Sequence, residues 1–161
     1  MVSSQSDVPA NFGIVVGKFS VPPNDPTGAS SRKLEVVNLA SGETFFLPFR
    51  EADSDDDSRS APFLASLPIG HYGIRHWEIT SGGHDLWMEI RRVGFSVAPG
   101  VVTCLGNLQA VRQGLPAVAM SDYVYIHIGL VVRNDCAKLG SYVHTVAPNL
   151  RAPLVTSLPR R

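Results

Sequence analysis

The sequence predicts an all-β protein: an antiparallel β-sandwich of seven to nine strands with one short C-terminal helix. Three observations carry this. Apolar residues recur with period two between turns rich in Pro and Gly, the signature of half-buried strands. Two blocks, Leu67-Pro68-Ile69-Gly70-His71-Tyr72-Gly73-Ile74 and Phe95-Ser96-Val97-Ala98-Pro99-Gly100-Val101-Val102, set a strand against a Pro/Gly corner, as at the end of a sandwich. Over 135–146 alone the apolar spacing changes to threes and fours, at Leu139, Tyr142, Val143 and Val146.

Residues 1–11 read as a flexible polar tether and residues 12–161 as a single domain. Phe12 to Val21 opens it as a strand whose Gly13 and Gly17 mark close approaches of another backbone. Pro22 to Gly28 is loop by composition. Lys33 to Leu39 follows with Leu34, Val36 and Asn38 on one face, and Ala40 to Glu43 turns it into Thr44 to Arg50. Pro48 has no amide proton to donate, so this third strand is an edge or is interrupted there. Pro62 to Leu67 is a short strand.

Tyr72 to Ile79 has Tyr72 and Ile74 on one face and Trp77 and Ile79 on the other, so it is central or bulged. The next strand slips phase as well: Leu86, Met88 and Ile90 alternate, then Val93, Phe95 and Val97 with opposite parity. A bulge or bend is expected at Arg91-Arg92. Val101 to Ala110 is a strand, and Arg112 to Ser121 reads as a connection. Asp122 to Val132 is the cleanest strand, with Val124, Ile126, Ile128 and Leu130 on one side and Tyr123, Tyr125 and His127 on the other. The helix over 135–146 can be capped by Asn134 or Asp135, is weakened by about 1 kcal/mol at Gly140, and ends at Pro148. Pro153 to Leu158 supplies a last edge strand.

Composition narrows the function classes. Fourteen Lys+Arg balance fourteen Asp+Glu, and the basic residues scatter, so the cationic stripe that nucleic acid requires is missing and no nucleic-acid partner is expected. No apolar run reaches the eighteen or so residues of a membrane span. Residues 1–10 have neither a basic start nor an apolar stretch, so no signal peptide is visible. The chain is cytoplasmic as written, or an exported product whose leader was replaced by Met1. Cys104 and Cys136 are either a pair, closing a loop of roughly 30 residues for about 3 kcal/mol, or two thiols of which the first is buried.

The blocks Gly13-Ile14-Val15-Val16-Gly17 and Leu67-Pro68-Ile69-Gly70-His71-Tyr72-Gly73-Ile74 resemble carboxypeptidase-regulatory-like (transthyretin-like) sandwich domains. Those repeat a G-x-V-x-G first strand and an L-P-x-G-x-Y-x-V segment. Phe95 to Gly106 is similar to the F-x-V-x-P-G-x-V-x-Y-L-G segment of small bacterial envelope lipoproteins, with Cys104 where an aromatic usually stands. The resemblance spans roughly residues 12 to 132. It implies an immunoglobulin/transthyretin-like fold and a periplasmic or envelope location, and it speaks to frame more than to chemistry. No lipobox cysteine precedes the domain.

Candidate chemistry is sparse. Within one strand His71 and His76 fall on opposite faces unless a bulge intervenes, and there is no H-x-H or C-x-x-C, so no metal centre and no cofactor are expected. Asp53 to Asp57 offers carboxylates for calcium but lacks the Gly and the bidentate Glu of an EF-hand loop. Cys136 at a helix N-terminus, with His127 as base, is the alternative enzymatic reading. The leading expectation is no catalytic residue. It is a non-catalytic interaction module that binds another protein, or a glycan, through Trp77, His84, Trp87, Tyr123 and Tyr125 around the Gly82-Gly83 hairpin. The competing use of the tyrosine face is as a bed for the helix.

Overall fold

In the computed structural model, residues 9–20, 31–48, 60–81, 84–112, 118–120 and 123–160 are described. Of these, 31–32, 48, 60, 78–81, 84–89, 91–92, 110–112, 118–120 and 123–129 are described by backbone alone. The Asp53–Asp57 segment lies outside the described residues.

The elements are β1 (Phe12–Ser20), β2 (Ser31–Asn38), β3 (Thr44–Pro48), β4 (Ser60–Pro68), β5 (Gly70–Ser81), β6 (His84–Val97), β7 (Val102–Arg112), β8 (Val118–Met120), β9 (Tyr123–Arg133), α1 (Cys136–Val146) and β10 (Leu154–Thr156). Hydrogen-bonded neighbours run β3-β2-β5-β6-β9-β7-β1-β4, with β8 on β9 and β10 on β7. The chain is an all-β sandwich: a layer β3-β2-β5-β6 faces a layer β4-β1-β7-β9, joined where β6 pairs with β9 over Met88–Ile90. Among the described strands, β8 and β10 are the shortest, three residues each. Most described strand pairs are antiparallel, as expected of the sandwich, and β1–β7, β6–β9 and β10–β7 are parallel. These pairs join strands remote in sequence, which no hairpin connects.

Two clusters of buried residues hold the layers. Between the sheets, Val15, Phe19, Phe63, Leu67, Leu105 and Leu108 meet Leu34, Val36, Leu47, Tyr72, Ile74, Trp77, Phe95 and Val97. Burying each such side chain contributes about 1.5–3 kcal/mol. On the outer face of the second layer, Ile14 and Val16 of β1 and Val102 and Cys104 of β7 receive Cys136, Leu139 and Val143 of α1, with Ala147 and Leu150 beyond it. The helix bed is therefore β1 and β7, and the expectation that the tyrosine face of β9 supplies it is corrected. β1 is buried on both faces, as its near-continuous apolar run requires.

Cys104 and Cys136 form a disulfide with Cα atoms 6.0 Å apart, inside the range such bonds need, and it ties the helix start to β7. This removes the reading of Cys136 as a nucleophile, since a disulfide sulfur has no thiolate to offer. The Asn134 side chain accepts the Cys136 amide at 3.2 Å, while Asp135 makes no side-chain cap.

The phase slips read from the sequence are bulges. Glu35 pairs with His76 and Val36 with Ile74, so Arg75 is an extra residue on β5. Ile74 pairs with Val93 and His76 with Glu89, so β6 carries its surplus across Arg91-Arg92. The bulge swaps face, and Tyr72, Ile74 and Trp77 all point inward at 0% exposure. A further bulge lies on β7 at Gly106, whose φ of +78° and close approach to the Arg133 carbonyl exclude a side chain.

The Leu67–Ile74 block has a physical cause. The Tyr72 hydroxyl donates to the Pro68 carbonyl at 2.6 Å and closes the corner between β4 and β5. Gly70 takes φ +149°, where a Cβ would sit 3.0 Å from Asn38 Nδ2. Asn38 in turn accepts the Ala40 and Ser41 amides at 3.0 and 3.1 Å and shapes the β2–β3 turn. The β4–β5 corner and the β2–β3 turn thus meet at Gly70 and Asn38.

Candidate functional site

The candidate site lies on the outer face of the first layer. Alternation along β5 sends His71, Gly73 and Arg75 outward, and the bulge adds His76 to the same face. His71 and His76 are therefore not on opposite faces, as regular alternation implied. Each is nonetheless held by its own partner: His71 Nδ1 lies 2.7 Å from Ser96 Oγ, and His76 Nδ1 lies 3.3 Å from Glu35 Oε2.

Gly73 and Gly94 are cross-strand partners, so one position of the β5–β6 ladder has no side chains above it. The half-buried backbone there forms a floor. Beside it stand Val37 and Leu39, the latter 63% exposed, and above Gly94 the chain end returns. Gly94 and Arg160 exchange both backbone hydrogen bonds, at 2.7 and 2.9 Å, which brings the Arg160 side chain beside the floor. Two adjoining hollows result, of about 700 and 550 Å³, sharing Leu39, Gly94 and Arg160. The first adds His71, Ser96, Ser157 and Leu158, the second Asn38, Gly42 and Arg75. The groove offers an apolar wall, backbone amides and carbonyls, an imidazole–hydroxyl pair and two guanidinium groups. Such a mixture offers apolar contact, backbone hydrogen bonding and positive charge side by side.

Under the floor the side chains are buried. Tyr72 stacks on Phe95 with centroids 5.5 Å apart. Burial pushes the Tyr72 phenol above its ordinary value, a hydrogen bond with Asn38 opposes this, and the Glu43 charge adds to it. Among the described side chains, no three of His, Cys, Asp or Glu converge on a point.

The residues singled out from the sequence divide in two. Trp77 is 0% exposed and lies 4.9 Å, centroid to centroid, from Phe19 in the core, so it offers nothing to a partner. The β5 bulge is the cause, since regular alternation would have turned it out. His84, Trp87, Tyr123 and Tyr125 are placed by backbone: His84 pairs with Ser81, Trp87 with Glu78, Tyr123 with Met120 and Tyr125 with Val118. Met88 aligns with Ile126 in the parallel β6–β9 pair, so all four occupy one end of the sandwich, at the starts of β6 and β9. The Gly73–Gly94 groove was missed because a cross-strand pair is a fact of register. The only linear hint is a glycine in each of two strands.

No family model matches the chain. The MMS19 nucleotide excision repair protein homolog of Danio rerio is 28% identical over 149 residues, covering 83% of this chain and 14% of that protein. A solved leucine-rich repeat protein from Bacteroides thetaiotaomicron VPI-5482 has a TM-score of 0.44 at 19% identity, over 63% of this chain and 14% of that one. This chain thus spans a small part of the length of each protein it matches, and no family is assigned.

Proposed function

We propose that this domain is a non-catalytic interaction module of a bacterial cell envelope. It receives a segment of another protein, or alternatively a glycan, in the groove over Gly73 and Gly94. The observation that carries this is the side-chain-free floor bounded by exposed Leu39 and by Arg160. An apolar centre beside arginines is the composition of recognition surfaces. The Cys104–Cys136 disulfide supports an oxidising compartment, where such bonds form and persist. The resemblance of Phe95 to Gly106 to envelope lipoproteins points the same way.

The test places a photo-crosslinking residue at Leu39 and, as control, at Thr145 on the exposed side of α1, in cells that export the domain. One defined adduct at position 39, absent at 145 and at least about tenfold weaker in Arg160→Glu, is the expected result. Equal labelling at both positions, or none at 39, rejects the groove as the contact surface.

A further inference from the structure

The groove over Gly73 and Gly94 carries an unbalanced charge. Glu35 pairs with His76 and Val36 with Ile74, so the β5 bulge leaves Arg75 with no residue opposite it on β2. A residue surplus to the ladder is re-aimed by the bulge, and Arg75 stands exposed beside the floor. Arg160 reaches the same hollow from the β6 side, held there by its two backbone hydrogen bonds to Gly94, and is exposed as well. Among the described residues neither guanidinium has an ion-pair partner. The Glu35 carboxylate is spent on His76, and the Lys33 ammonium lies over the Phe46 ring. The described lining of the two hollows contains no Asp or Glu. Glu43, next to Gly42 on the β2–β3 turn, is a nearby carboxylate, and its charge acts on Tyr72 under the floor.

We propose that the groove selects a protein segment in which an Asp or Glu stands next to an aliphatic residue. The carboxylate is held by Arg75 and Arg160, and the aliphatic side chain lies against Leu39 and Val37. This deepens the reading of the groove as a contact surface and rests on it. Charge complementarity carries the acidic half. A guanidinium presents a planar fork of donors that matches a carboxylate, and two of them line one hollow of about 550 Å³. The wall carries the aliphatic half, because Leu39 at 63% exposure has apolar surface left to cover. The glycine pair brings the two halves within reach of one short segment. A Cβ on Gly73 would stand 3.5 Å from Leu39 Cδ2 and 3.7 Å from Val37 Cγ1, in the space between floor and wall that the segment uses. An aliphatic wall also favours a peptide over an acidic glycan, whose rings carry charge without an aliphatic branch.

The test pans a displayed library of random linear peptides on the full chain with its disulfide intact, then titrates the enriched peptides as synthetic probes. The expected result is enrichment of Asp or Glu beside Leu, Ile or Val, saturable binding, and NMR shifts of the Gly73 and Gly94 amides. Arg75→Gln and Arg160→Gln should each weaken binding at least about tenfold. In the chain carrying both substitutions, replacing the acid of the peptide by its amide should cost nothing further, because the partners of that acid are gone. The amide shifts of the unsubstituted chain read the site directly, so a variant that fails to fold leaves the test intact. Neutral or basic peptides that move the Gly73 and Gly94 amides overturn the acidic preference and leave the groove as the contact surface. Probes that leave both amides unmoved remove the preference and the groove reading together. An unenriched library, with an oligogalacturonate moving the same two amides, overturns the proposal in favour of a glycan.

Discussion

At the scale of single residues, Tyr72 ties the core to the β4–β5 corner. It fills the core at 0% exposure, stacks on Phe95, and spends its hydroxyl on the Pro68 carbonyl. Tyr72→Phe keeps the ring and deletes that bond, leaving a carbonyl short of a donor, so a loss of about 1–2 kcal/mol is expected at neutral pH. The pH dependence has a definite sign. The folded phenol titrates above the unfolded one because burial disfavours the phenolate. The neutral phenol's contribution is therefore complete below about pH 10 and declines as pH rises from there through the folded value. Urea melts at pH 7 and in the alkaline range should show wild type losing stability where Tyr72→Phe loses less; parallel losses would place the alkaline sensitivity elsewhere. Trp77 is the opposite case. Its ring is fully buried, and its indole N–H has no hydrogen-bond partner among the described residues.

At the scale of elements, the strands, the helix and both phase slips were legible because each is a local period or a break in one. The Leu86–Val97 parity change located its bulge at Arg91-Arg92 from sequence alone. What the bulge on β5 does to Trp77 was not legible, since periodicity reports that faces switch and not which side of the switch is buried. β8 was missed because three residues inside Arg112–Ser121 are too few to show alternation. Pairing partners were beyond reach for the same kind of reason: the disulfide and the Gly73–Gly94 floor each join residues far apart in sequence. The helix itself makes two opposed expectations. Gly140 sits mid-helix with Leu154 Cδ2 3.6 Å from where a Cβ would stand, so Gly140→Ala fits and should stabilise the protein by about 0.5–1 kcal/mol. Replacing both cysteines by serine frees a separation of 32 residues and should cost about 3 kcal/mol. Hydrogen exchange should place that loss first in α1, because its bed on β1 and β7 is held from outside the main core; uniform loss across the sandwich would contradict this division.

At the scale of the whole molecule, the two layers are dressed differently. The second carries α1 on its outer face, whereas the first presents Leu39 and Phe46 at 63% and 47% exposure, with the groove between β5 and β6. The chain end joins the two layers. β9 bridges β6 and β7 at one end of the sandwich, through Met88–Ile90 and Asn107–Arg112. At the other end the bridge is made by β10 on Val102–Cys104, the Ser157 amide on the Cys104 carbonyl, and Arg160 on Gly94. Leu158 packs against the helix-side cluster between these points. Ending the chain after Pro153 removes that bridge, exposes apolar residues of the second cluster and unpairs the β6 edge at Gly94. A loss of about 2–4 kcal/mol is expected, which for a chain of this size lowers Tm by roughly 4–16 °C. The same truncation should release the Gly94 amide to rapid hydrogen exchange and abolish crosslinking at Leu39, because Arg160 leaves the groove with the bridge. An unchanged Tm with a protected Gly94 amide would mean that β5, β6 and β9 close the sandwich without the chain end.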